Sequence, residues 1–257
     1  MQPPETDVLP HRLSPKRQQP AEVDLALELL LRRRAATAVE QMDRPDCDAR
    51  LLDNTYRQFG VINRVLSGWR RLYAVELRPL VPPLQRPLTI LDLGCGGGDL
   101  AVMLSRWAAR DGKPIHITGI DPDPRAARFA RRRPAASGVE FREAHSSDLV
   151  REGARFDVVI SNHVLHHLAP EEFRQLLADS EILAETTAMH NDLIRSPAAF
   201  ALFSVAALPF RHSFIRKDGL TSIRRSYKPA ELSAGAPPGW SVERSSAFHQ
   251  VLTWRRG

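Results

Sequence analysis

The stretch LDLGCGGGDL at 91–100 constrains this chain more than any other. An apolar run that reads as a strand enters it and a helical pattern leaves it. The glycines therefore mark a strand-to-helix turn, where a ligand can approach the backbone near a helix N-terminus. The spacing is G-x-G-x-G over Gly94, Gly96 and Gly98, with Asp92 ahead of it, and Asp99 stands where a dinucleotide fingerprint needs glycine. A carboxylate there repels a pyrophosphate. It suits a ligand carrying a positive amine and a sulfonium.

From Leu88 onward short apolar runs alternate with helical segments. LTILDL (88–93), PIHITGI (114–120), GVEFREA (138–144), FDVVISN (156–162) and TTAMHNDL (186–193) read as strands, with helices over 99–110, 124–133 and 170–183. This alternation predicts βαβ units and a parallel sheet of the α/β class. WSVERSS (240–246) and FHQVLTWRR (248–256) read as two more strands joined by a tight turn. Ligands of such sheets lie beyond the carboxyl ends of the strands. Asp121 closes the second strand, where an acid can accept both hydroxyls of a ribose, and Asp148 follows the third, where a carboxylate can accept from an adenine amine.

Taken in order, Asp92 with Gly94, Gly96 and Gly98, then Asp121, Asp148 and the run FDVVISNHVLHHL resemble the class I S-adenosylmethionine-dependent methyltransferases. The likeness is to small-molecule enzymes of quinone biosynthesis and polyketide tailoring. It covers about 88–195 well, the last two strands loosely, and 1–80 hardly at all. It implies a Rossmann-like fold with a mostly parallel seven-stranded sheet, a helical N-terminal cap and a lid insertion. The cofactor is then S-adenosyl-L-methionine, with Asp92 near its methionine part, Asp121 near the ribose and Asp148 near adenine. Cys95, Pro122 and Asn162 complete the expected cofactor-binding set.

Outside that segment the sequence predicts a loose tail over 1–20 and a helical cap over 21–80. The domain itself is expected over 81–257, with the lid at about 195–228. Asp24 is the expected cap of a helix running through VDLALELLLRRRAATAVEQMD, and Asp48 caps the next. Leu52, Tyr56, Phe59, Asn63, Leu66, Trp69 and Tyr73 then recur as a helical stripe. Pro79, Pro82, Pro83 and Pro87 form a stiff connector. The apolar stretch around Phe200, Leu202, Phe203, Leu208 and Phe210 suits an apolar or aromatic acceptor or a buried helix.

Methyl transfer from a sulfonium is an in-line displacement that needs orientation and, for a hydroxyl acceptor, a base. SNHVLHHL supplies His163, His166 and His167, and strand five ends with His190, Asn191 and Asp192. His167, His163 and His190 are the candidate catalytic residues, His167 first, with Asp192 a further possibility as base. No metal is expected, because Asn191 and Asp192 make only half of a magnesium site and Asn162 and His163 stand in place of the other acid. Ser161, Asn162, His163 and Val164 stand where nucleobase and amide methylation calls for an (N/D)-P-P-(Y/F) turn, and neither Cys47 nor Cys95 is placed as a nucleophile for pyrimidine C5.

The net charge is +6, which raises nucleic acid as a partner. The arginines, however, cluster at 32–34, 131–133, 224–225 and 255–256 on separate elements, while the expected pocket is acidic. The reading is therefore an enzyme methylating a small hydroxylated aromatic or quinol-like molecule, at oxygen. Alternatives are an RNA methyltransferase and a non-catalytic cofactor-binding regulatory protein. Two cysteines and no apolar leader suggest the cytoplasm, with no transmembrane segment and room for a homodimer. Arg224 and Arg225 are candidates to meet an anionic acceptor.

Overall fold

A computed structural model describes residues 25, 27–81, 86–134 and 136–257. The expected tail, the Asp24 cap and the prolines at 82 and 83 lie outside the described residues.

Seven strands form one sheet in the order β3-β2-β1-β4-β5-β7-β6. They are β1 (Leu88–Leu93), β2 (Ile115–Asp121), β3 (Val139–Glu143), β4 (Phe156–Asn162), β5 (Ala184–Leu193), β6 (Trp240–Arg244) and β7 (His249–Arg255). The pairs β1–β2, β1–β4, β2–β3 and β4–β5 are parallel, and β7 runs antiparallel to both neighbours. Central strands buried on both faces need continuous apolar sequence rather than alternation. Ile90, Leu91 and Leu93 of β1 and Val158, Val159 and Ile160 of β4 meet that need, each almost without solvent exposure.

The helices are α1 (Ala49–Leu66), α2 (Trp69–Leu72), α3 (Asp99–Arg110), α4 (Pro124–Arg131), α5 (Ser146–Arg151), α6 (Pro170–Leu183), α7 (Pro197–Ala206), α8 (Ile215–Arg225) and α9 (Pro229–Gly235). The Asp48 carboxylate accepts from the Arg50 and Leu51 amides at the start of α1, as a helix cap should. The helical stripe expected through Tyr73 is interrupted at Gly68, whose φ of 76° turns the chain before α2. Trp69 and Tyr73 then enter the main core with Leu104 and Trp107. Leu66 is an exception to the stripe, with 39% of its surface exposed.

The helix expected through residue 43 is a correction. Residues 27–30 are helical, but 31–47 form a strap of turns and extended chain. Its backbone donors are taken by distant partners: the Ala35 amide donates to the Arg224 carbonyl, and the Gln41 and Met42 amides donate to the Asp218 carboxylate. These bonds replace the intrahelical ladder, and buried Leu31 packs with Ile223. No helix among the described residues is long and apolar enough to cross a membrane.

Candidate functional site

The glycine loop leaves β1 with Gly94, Gly96 and Gly98 all at positive φ. Two of these positions also lack room for a side chain. A Cβ on Gly94 would stand 2.7 Å from Val164, and one on Gly98 would stand 2.4 Å from the Phe141 ring. The Cys95 amide donates to the Ile120 carbonyl, tying the loop to the end of β2. Asp121 reaches across and accepts from the Gly96 amide at 2.8 Å and the Asp123 amide at 2.9 Å.

These residues open onto a cavity of about 660 Å³ at the carboxyl ends of β1, β2, β4 and β5. Asp92, Gly94, Cys95, Gly96, Asp121, Pro122 and Asn162 line it. Asp92 is buried, and its Oδ2 has no hydrogen-bond partner among the described residues. Burial, followed by the charges of Asp99 and Asp121, pushes its carboxyl well above the usual range. Such an acid is poised to pair with a cationic group. Asp99 is held by Asn63 Nδ2 at 2.9 Å, and Asn162 Oδ1 accepts from Trp69 Nε1 at 2.9 Å and Asn191 Nδ2 at 3.0 Å. Tyr56, Phe59 and Asn63 of α1 form a facing wall.

Asp148 departs from its expected place. Because α5 begins at Ser146, Asp148 falls in its first turn, where its carboxylate accepts from the His145 amide at 2.8 Å and pairs with Arg151. It caps its own helix and does not line the cavity. Helix α5 itself has no clear signal in the sequence beyond this capping arrangement.

The histidines separate. His190 lies on the strand face that packs against Trp240, with Nδ1 at 2.8 Å from Ser161 Oγ. Strand alternation turns it away from the cavity, which it does not line. His163 does line it, at a φ of 59°, with Nε2 at 3.0 Å from His249 Nε2. Burial, with His249 beside it, lowers the His163 pKa to about 3, so its ring is neutral.

His166 and His167 sit in a single 3₁₀ turn, Leu165–His167. His166 is turned inward. Its Nδ1 is 2.7 Å from Asp192 Oδ1 and its amide donates to Asp192 Oδ2 at 2.9 Å. Burial alone would lower its pKa, but the charge and hydrogen bond of Asp192, joined by Glu40, outweigh burial and raise it to about 9. His167 Nδ1 lies 3.1 Å from Asp43 Oδ2. Glu40, carried by the strap, is buried, accepts from Ser222 Oγ at 2.8 Å and faces both rings. Burial opposes its charge, yet His166 and His167 hold its pKa down at about 2.

Arg225 is also corrected. It is buried, and its guanidinium donates to the His166 carbonyl at 3.2 Å and the His167 carbonyl at 3.0 Å. It holds the histidine turn and does not line the cavity. Arg224, equally absent from the lining, gives its carbonyl to the strap. Glu40 and Asp43 were hidden from sequence reading because AVEQMD looks like one more helical turn. Nothing local in that mixed polar and apolar run marks them out.

A further wing of the cavity is apolar, with Leu202, Phe203 and Ala206 of α7, Ile215 and Ile223 of α8, and Phe248. It joins the acidic glycine loop to the histidine turn in one continuous space.

A family model described as a methyltransferase domain matches residues 90–183. The ubiquinone biosynthesis O-methyltransferase of Cereibacter sphaeroides (strain ATCC 17025 / ATH 2.4.3) is 35% identical over 134 residues, which cover 51% of each chain. That of Methylobacterium sp. (strain 4-46) is 38% identical over 93 residues, 35% of each chain. The chain thus spans about half or less of the length of these curated relatives. Among solved structures, the plantazolicin methyltransferase BpumL in complex with SAH superposes with a TM-score of 0.61 at 15% identity, covering 92% of this chain and 100% of that one. A structure from echinomycin biosynthesis, concerning conversion of a disulfide bond into a thioacetal group, gives a TM-score of 0.50 at 20% identity over 78% of this chain and 92% of that one. Likeness at these identities speaks to the fold. Residues 90–183 thus match the methyltransferase domain model, and the fold is the Rossmann-like one of the class I methyltransferases.

Proposed function

We propose that this protein transfers a methyl group from S-adenosyl-L-methionine to a hydroxyl of a small, largely apolar aromatic or quinol-like acceptor. The observation that carries the reading is the single cavity joining an acidic glycine loop to an apolar wing and a cluster of imidazoles and carboxylates. The relatives named as ubiquinone biosynthesis O-methyltransferases support the same acceptor class.

The residues present fit the cofactor. The unpartnered Asp92 oxygen would take its ammonium, and Asp121, already fixed by two backbone amides, would take the ribose hydroxyls. Gly94, Cys95 and Gly96 let the loop backbone come close, with Pro122 and Asn162 beside it, whereas Gly98 packs on Phe141 and does not line the cavity. Asp148 has no part in this assignment. When bound, the cofactor supplies an electrophilic methyl group on a cationic sulfur.

The chain's own residues orient and shield. The strap and α1 roof the cavity on one side, and the segment 195–228 covers its apolar wing. The acceptor hydroxyl is assigned to the end formed by Glu40, His166 and His167, where the His167 imidazole would take up its proton. Neutral His163 lines the space without a charge. His190 is excluded from contact by its strand face. Replacement of a water shell by these groups, together with alignment, is the main source of rate in such a displacement. The same reading locates the enzyme with small metabolites in the cytoplasm, and an RNA acceptor is not favoured by so apolar a wing.

The test is calorimetric titration with S-adenosyl-L-methionine, followed by a screen of catechols and quinols for a methyl mass shift. Absence of cofactor binding at millimolar ligand would reject the reading. Cofactor binding with methylation of RNA alone would replace the acceptor.

A further inference from the structure

Around the histidine turn two side-chain relays converge. Asp192 holds His166 through Nδ1 at 2.7 Å, and Asp43 holds His167 through Nδ1 at 3.1 Å. In both rings this leaves Nε2 as the outward nitrogen. His166 Nε2 lies 3.5 Å and His167 Nε2 3.7 Å from the same oxygen, Glu40 Oε1. One ligand atom from each of the three residues falls within 4.8 Å of the other two. All three residues face the cavity.

Hydrogen bonds account only for the Nδ1 side of each ring. His166 Nε2 is buried with Glu40 Oε1 3.5 Å away, and it makes no hydrogen bond of ordinary geometry among the described residues. A carboxylate on the far nitrogen of a histidine is the usual outer support of a metal-bound imidazole, because it fixes both tautomer and ring orientation. Here that support occurs twice. Glu40 is itself held by Ser222 Oγ, and Arg225 holds the backbone of the turn that carries both rings.

We infer that Glu40, His166 and His167 form a binding site for a divalent first-row transition ion. Two imidazoles and one carboxylate suit zinc, iron, cobalt or manganese, whereas magnesium and calcium prefer all-oxygen shells. Three protein ligands leave positions open toward the cavity, so an acceptor hydroxyl could reach the ion. This replaces the sequence expectation of no metal, which counted acids on strand ends and had no means of bringing in Glu40. The site rests on side-chain geometry and stands independently of the methyl-transfer reading.

The test is titration of the chelator-treated full-length protein with Co²⁺, followed by visible absorption, with Zn²⁺ as competitor. One Co²⁺ per chain with enhanced visible bands, displaced by Zn²⁺, is expected. His167→Ala and Glu40→Gln should each weaken binding at least tenfold, and Asp43→Asn should weaken it by about tenfold, the lower end of the effect of outer-shell changes. A spectrum equal to that of aqueous Co²⁺, or binding unchanged in both His167→Ala and Glu40→Gln, would overturn the site. Circular dichroism and titration with S-adenosylhomocysteine accompany each variant. A variant that stays folded and binds that nucleoside but loses Co²⁺ supports the site, and loss of nucleoside binding in the wild type would count only against the methyl-transfer reading.

Discussion

Asp192 meets His166 twice, at the ring Nδ1 at 2.7 Å and at the backbone amide at 2.9 Å. One buried carboxylate therefore sets both the position of the turn and the tautomer of the ring. Replacing Asp192 with Asn should lower methyl transfer by about 10²–10⁴-fold, the range associated with a positioned acid–base group. Cofactor affinity, measured by calorimetry, should stay within a few-fold. Equal loss of both would make Asp192 a general folding residue.

The affinity for S-adenosyl-L-methionine should rise with pH in the acid range. Burial, then Asp99 and Asp121, raise the Asp92 carboxyl above its ordinary value, and only its ionised form pairs with an ammonium. Without ligand the sign for stability is opposite: an acid whose folded pKa is raised contributes less stability as pH climbs between the unfolded and folded values. Calorimetric titrations across pH on wild type and Asp92→Asn decide the matter. The variant should bind weakly with a flat profile, and a parallel slope in both proteins would move the effect elsewhere.

Stability of the chelator-treated protein should fall on both sides of a mildly acidic optimum. Glu40 and Asp192 are each held near a pKa of about 2, so their contribution is present above the unfolded carboxyl value and is lost as pH falls toward 2. His166 is raised to about 9, so its contribution is complete below its unfolded value and is lost as pH climbs to 9. Melting temperatures followed by circular dichroism should therefore drop from about pH 6.5 to 9 in wild type. In His166→Phe that alkaline drop should be absent.

Gly219 lies against Phe203, and a Cβ there would approach the ring to 2.3 Å. Gly219→Ala should push that ring within the apolar wing and raise acceptor KM about tenfold, a loss of roughly 1.4 kcal/mol. Cofactor Kd should not change. An unaltered KM would place the acceptor away from this wall.

Arg225→Ala should destabilise the fold rather than alter acceptor charge preference. Its two bonds to the His166 and His167 carbonyls come from a charged donor, and losing such bonds costs about 1.5–3 kcal/mol each at most. Chemical denaturation should show a lowered midpoint. An intact midpoint with a selectively raised KM for anionic acceptors would restore Arg225 to substrate binding.

Local signals carried much of this protein in its sequence. β1 and β4, α3 and α6 occupy their expected residues, because buried strands need continuous apolar runs and helices need an apolar stripe. The glycine loop and Asp121 were equally readable, since a strand-to-helix turn of this type needs positive φ within a few residues of the acids it presents. Tertiary structure alone decided the rest. It turned His190 to Trp240, used Asp148 as a cap and drew residues 31–47 out of helix through bonds to Asp218 and Arg224. By that same strap it brought Glu40 to His166 and His167. Periodicity records only neighbours along the chain, whereas these partners come from segments far apart in sequence, and their meeting depends on which backbone donors the folded core leaves to be satisfied.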